Sequence, residues 1–213
     1  MDTSRVAVFV RAFAQDSPFT VLMRQGFAGL TDREYLWEPV SGSWSIRPRG
    51  ETVNPSDTAF AGDDWGLDIV YPDPHPPPFT TIAWRTTHLT GSMFVAAAAL
   101  AGRHRADGTL DESWPEVTRV ARTAAEAVGR WERAVGVIRD LLATSSEADM
   151  DRTECVWWDR ERPLPVFDHV LHYGYFEASC HGAEIRLIRD LYRHTAGGTR
   201  PLMRSTAPLD DAP

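Results

Sequence analysis

Apolar positions recur three or four residues apart in four stretches of the chain, the spacing that builds one face of an α-helix. The first covers about residues 17–30, opening on Ser17-Pro18 and closing at Gly29-Leu30-Thr31-Asp32. The second, about 80–102, follows Pro76, Pro77 and Pro78, which cannot themselves be helical. The third is predicted over about 115–143, with Val117, Val120, Ala124, Val128, Trp131, Val135, Ile138 and Leu142 on one stripe. The fourth runs over about 166–194, and its stripe passes through Val170, Tyr173, Glu177, His181, Glu184, Ile188 and Leu191. Two acids and a histidine on a core-facing stripe are unusual, because a buried carboxylate needs a partner.

Between the first two helices, residues 31–79 are of a different kind. They hold Trp37, Trp44 and Trp65 among many prolines and glycines. A connection this long must fold on itself, and the expectation is a crossover with a short hairpin whose tryptophans cover one end of the helices. Residues 5–14 fit a short strand or an extra helical turn equally well. The Gly-, Pro- and Ser/Thr-rich tail at 196–213 reads as disordered. The pattern therefore predicts an all-α protein: one bundle domain over 1–195, a four-helix bundle with a long Trp/Pro-rich crossover between its first and second helices.

Composition narrows the function. The longest apolar runs, 6–10 and 93–101, fall well short of the roughly 20 residues a membrane helix needs. Asp2 and Arg11 bracket the first run without a clean cleavage site, so a cytoplasmic protein is expected. A net charge of -8 argues against nucleic acid as a partner, since phosphate binding needs a basic footprint. Cys155 and Cys180 form no CxxC and are expected as thiols. All 22 basic side chains are arginine and Asn54 is the sole asparagine, the mark of a high-GC genome such as an actinobacterial one.

Candidate chemistry centres on Glu177 and His181. Four residues apart on a helix, they differ by only about 40° in direction and reach a single ion from one face. His88, between Trp84 and Met93 in the second helix, is the third candidate. Two histidines and one carboxylate suit a divalent metal and leave positions for water or substrate. Zinc fits this set best, and nickel or ferrous iron is compatible. The competing reading is a hydrogen-bonded core histidine and a Glu177–arginine pair. No GxSxG, Walker A, GxGxxG or HExxH motif is present.

Four segments carry a resemblance. They are Gly29-Leu-Thr-Asp-Arg-Glu-Tyr-Leu-Trp-Glu-Pro-Val, Gly42-Ser-Trp-Ser-Ile-Arg-Pro, Thr81-Ile-Ala-Trp-Arg-Thr-Thr-His88 and the stretch from Glu177 to Arg193. In this order they resemble the DinB-like superfamily, most strongly its actinobacterial members. The resemblance implies one metal-binding histidine on the second helix and two ligands four residues apart on the fourth, which map onto His88, Glu177 and His181. Many relatives have histidine at the position of Glu177. The glutamate version is similar to the zinc site of mycothiol-dependent maleylpyruvate isomerase, of the same superfamily. Close relatives often carry a further histidine one turn before the glutamate, where this chain has Tyr173.

Around these three, Glu184 is expected either to fix the tautomer of a ligating histidine or to pair with an arginine such as Arg189. Tyr173 is read as a proton donor to substrate or a core tyrosine, Trp84 as a wall of the site, and Cys180 as packing. His75, His104, His169, His172 and His194 read as surface or loop residues. The resemblance implies a metal-dependent transferase or isomerase acting on a small-molecule substrate with a low-molecular-weight thiol, mycothiol in such a host. The same fold also serves a non-catalytic, binding or stress-related protein, and bundles of this family commonly form homodimers.

Overall fold

Hydroxyl side chains set where the helices begin. Ser4, Ser17, Thr31, Thr81, Thr123 and Ser146 each accept a hydrogen bond from a backbone N–H in the first turn that follows. The helices they start are α1 (Arg5–Ala12), α2 (Pro18–Phe27), α3 (Asp32–Tyr35), α4 (Ile82–Leu100), α5 (Ala124–Leu142) and α6 (Glu147–Asp151). The structure, a computed structural model, describes residues 2–53, 64–70, 72, 74–103, 117, 119–156 and 159–195. The undecided segment at the start of the chain is thus helical, and the expected tail lies outside the described residues.

A last helix spans 166–195 without a break: α7 (Val166–His169), a π-helical segment (Val170–Phe176) and α8 (Glu177–Thr195). Helix α4 is the centre of the packing. Sixteen of its residues are buried, so it is apolar nearly all round rather than on one stripe. Helix α5, α8 and the π-helical segment all pack on it. Gly174 permits the closest approach: a Cβ there would sit 3.3 Å from the Ala96 Cβ and 3.5 Å from Phe13. Helix α2 lies against α8, and Arg24 ties it to Glu132 of α5 at 2.8 Å.

The third expected helix starts later than its periodicity predicts. Helix α5 begins at Ala124, and Val117 and Val120 are buried ahead of it rather than on its stripe; residues 115, 116 and 118 lie outside the described set. The cause is both local and distant. Thr123 accepts from the Glu126 N–H, and Asp32 of α3 accepts from the Ala124 N–H at 2.8 Å.

The fold is mostly helical, consistent with the all-α expectation, and adds two small antiparallel pairs among the described residues. Strand β1 (Ile46–Pro48) meets β2 (Trp65–Leu67), with Ile46 opposite Leu67. Strand β3 (Thr153–Val156) meets β4 (Asp159–Pro165) with an irregular register. The charges and prolines of β4 disguise it as a loop in the sequence.

Residues between α2 and α4 are anchored on the start of α4. Trp44 accepts from the Thr81 N–H at 2.9 Å and donates its own N–H to Phe79 at 2.8 Å. The buried Asp68 carboxylate accepts from Ser45 N, Val53 N and Arg47 Nε. Trp84 in turn donates its indole N–H to the Asp68 carbonyl at 2.7 Å. Residues 54–63, 71 and 73 of this connection are outside the described set. Among the described residues, no helix is long and apolar enough to cross a membrane, and both cysteines are thiols.

Candidate metal centre

Helices α4 and α8 face each other, and each turns one row of polar side chains toward the other. Trp84, Arg85 and His88 sit within about one turn on α4; Glu177, His181 and Glu184 are spaced three or four apart on α8. Ligand-type atoms of His88, Glu177 and His181 all lie within 4.8 Å of one another. The Nε2 atoms of His88 and His181 approach the same Glu177 oxygen, Oε2, at 3.4 and 3.2 Å. The three side chains are partly buried, at 22, 20 and 14% exposure for His88, Glu177 and His181.

Ring packing fixes the imidazoles. His88 lies flat on Trp84, centroids 4.9 Å apart at 12°, and His181 stands perpendicular to His88 at 5.1 Å. Trp84 also stands edge-on to His181, centroids 6.2 Å apart. His181 Nδ1 lies 2.5 Å from a Glu184 oxygen, a contact that would favour the Nδ1–H tautomer once an ion takes Nε2. The same Glu184 oxygen is ion-paired with Arg85 Nη1, which lies 3.2 Å from His181 Nδ1. The arginine that Glu184 pairs with is Arg85. Arg189 belongs elsewhere, paired with Glu34 at 2.7 Å.

Electrostatics follow from this arrangement. Hydrogen bonds from His181 and then His88 hold the Glu177 carboxyl well below the usual carboxylate range, outweighing its burial. Burial pulls the Arg85 guanidinium below its ordinary value against the pull of Glu184. Two imidazole nitrogens aimed at one ionised carboxylate oxygen make a donor set that fits a divalent cation, which would take the place of the protons between them.

The π-helical segment changes which neighbour Glu177 meets. One extra residue per turn aligns positions five apart, so His172 brings its Nε2 within 3.6 Å of the second Glu177 oxygen, Oε1. Tyr173, placed one turn before Glu177 by a regular helical period, instead packs against His172 and His169, with centroids at 4.7 and 5.7 Å. His169, read as a surface residue, is fully buried with Nε2 3.1 Å from the Glu154 carbonyl. Cys180 is exposed rather than packed. His75 and His194 are exposed as expected, and His104 lies outside the described residues.

Arg85 is absent from the residues that the sequence singles out, and His172 reads there as a surface or loop residue. For Arg85, its position three before His88 on the same helix face was the available signal. Beside it opens a cavity of about 310 Å³, lined by Trp44, Trp84, Arg85, His88 and His181 together with Ile69, Pro77, Pro78 and Thr80.

A mostly helical fold with two histidines and a glutamate gathered between its central helix and its last one defines the class: a helical protein with a metal-ligand-type cluster beside a cavity. A family model for the DinB superfamily matches residues 68–185, more than half of the chain and a span that includes all three cluster residues. The chain belongs to the DinB superfamily, whose domains commonly bind a divalent metal. No curated protein and no solved structure matches it.

Proposed function

We propose that this chain is a divalent-metal enzyme in which His88, Glu177 and His181 hold the ion. One observation carries the reading: three ligand-type side chains from two helices converge within 4.8 Å, and both histidines line a cavity. A structural zinc site is usually closed by four protein ligands, and a three-ligand site keeps a position open toward substrate. Zinc suits two imidazoles and a carboxylate; nickel and ferrous iron share these ligand types.

A bound ion would supply Lewis acidity, lowering the pKa of a thiol or polarising a carbonyl. The chain's own residues do the rest. Glu184, 2.5 Å from His181 Nδ1, would hold His181 in the tautomer that frees Nε2 for the ion. Trp84 stacks on His88 and fixes its ring plane. Trp44, Ile69, Pro77 and Pro78 exclude water from one side of the cavity. The reaction that suits such a site is a transfer or isomerisation of a small-molecule substrate that uses a low-molecular-weight thiol, mycothiol in a high-GC actinobacterial host. In this reading α2, α4, α5 and the 166–195 helix form the four-helix bundle, and the chain works in the cytoplasm as a homodimer.

Elemental analysis of the purified chain tests the site. About one divalent ion per chain is expected, lost in His88→Ala, and thiols are expected to raise the melting temperature of the metal-loaded form. A purified chain that takes up no zinc, nickel or iron on titration would overturn it.

A further inference from the structure

We propose that the cavity beside the His88–Glu177–His181 cluster takes a small carboxylate with a flat apolar body, recognised by Arg85 and Thr80. This rests on the metal-centre reading above and adds the substrate class to it.

The polar groups of the cavity come first. Thr80 is 6% exposed, and its Oγ1 has no hydrogen-bond partner among the described residues. Arg85 uses Nη1 on Glu184, while its Nε is buried without a partner. Trp84 is excluded from recognition because its indole N–H is taken by the Asp68 carbonyl. Buried donors are nearly always satisfied in native proteins, so two such groups on one cavity call for a ligand that supplies acceptors. A carboxylate does this: it accepts at two oxygens in one plane and matches the edge of a guanidinium.

Charge points the same way. Glu177 and Glu184 offset the two positive charges of a divalent ion, and Arg85 then leaves one positive charge in excess at the cavity. Asp68, the next buried carboxylate, is held by Arg47 at 2.8 Å, which also pairs with the more exposed Glu38 at 2.8 Å. One excess charge suits a singly charged anion. A phosphate would need a second free cation, and among the described residues Arg85 is the one cation lining the cavity. An acidic chain that keeps a local positive excess there selects its ligand by sign.

The walls set the shape. Trp44 and Trp84 lie 6.3 Å apart and tilted by 35°, and with Ile69, Pro77 and Pro78 they form an apolar slot. A volume of about 310 Å³ stands at the small end of ligand sites and admits about one ring with its carboxylate.

The test uses the full chain, metal-free and zinc-loaded, with benzoate and the neutral benzamide as probes. Binding is read by quenching of tryptophan fluorescence and by calorimetry, after zinc uptake has been measured. The zinc-loaded chain is expected to bind benzoate roughly tenfold or more tighter than benzamide. Arg85→Gln should erase most of that preference. Thr80→Val, which keeps shape and leaves the metal ligands alone, should weaken benzoate several-fold without changing zinc uptake. A benzoate preference that survives unchanged in both variants means the ion alone reads the anion, and overturns the proposal. So does equal binding of the two probes by a chain that takes up zinc, and in that case the metal reading stands. No zinc uptake sinks the metal reading first, and the charge argument falls with it.

Discussion

Helix α8 carries two polar clusters that meet opposite fates. Toward its C-terminal end, Arg189 is 3% exposed and every arm of its guanidinium has a partner. Nε and Nη2 grip Glu34 at 2.7 and 3.2 Å, and Nη1 donates to the Gly26 and Ala28 carbonyls at the end of α2 at 2.5 and 3.0 Å. The cluster is closed: charge against charge, with the open carbonyls of a helix terminus capped as well. Near its other end, His181 and Glu177 meet His88 with three ligand-type atoms turned on one another, next to a cavity. Burial of charge is common to both. What separates them is whether the chain itself supplies every partner. A complete network holds helices together, and an incomplete one marks a place for something else.

The sharpest way to break this comparison is to open the closed cluster. Arg189→Met strands Glu34 in the core and is expected to cost about 3–5 kcal/mol in urea unfolding, while the folded fraction still takes up zinc. A loss of zinc at unchanged stability would reverse the assigned roles. His88→Ala should show the opposite signature. The metal-free chain should change by no more than about 1 kcal/mol. What disappears is the zinc-dependent gain, about 4 kcal/mol at a thousandfold excess over Kd, and differential scanning calorimetry with and without zinc reads both.

Smaller effects sharpen the contrast. Glu184→Gln keeps an acceptor near His181 but loses the charge that Arg85 pairs with. Zinc affinity, measured against a competing chelator, should weaken roughly 10–100-fold, with the melting temperature of the metal-free chain unchanged. The smallest effect is expected at the surface, where Glu147 accepts from Val6 N at 2.9 Å and from Arg5 Nε at 2.8 Å. The Val6 N–H, and after it Arg5, holds this carboxyl below its ordinary value. Such a group stabilises the fold above the ordinary glutamate pKa of about 4.3 and loses that contribution as pH falls through the lower, folded value. Wild type should therefore lose slightly more stability on acidification than Glu147→Gln. Parallel pH curves for the two would show that the docking of α1 does not depend on this charge.

Much of this was legible along the chain. The 3.6-residue period, with Ser17 and Thr81 as caps of α2 and α4, places α2, α4 and the last helix within a few residues of where they stand, because period and cap are properties of one backbone segment and its neighbours. The pairing of Glu177 with His181 was legible for the same reason, since four residues on a helix mean one face. Other features were not local. His88 meets Glu177 only because α4, apolar all round, packs against α8. Arg85 reaches Glu184 across the same contact, and Asp32 helps fix the start of α5 from a distant part of the chain. His172 comes beside Glu177 because a π-helical segment adds a residue to the turn. Period and caps are written in a single segment; which faces touch, and where a helix widens to let them, is decided by packing between segments distant in the chain.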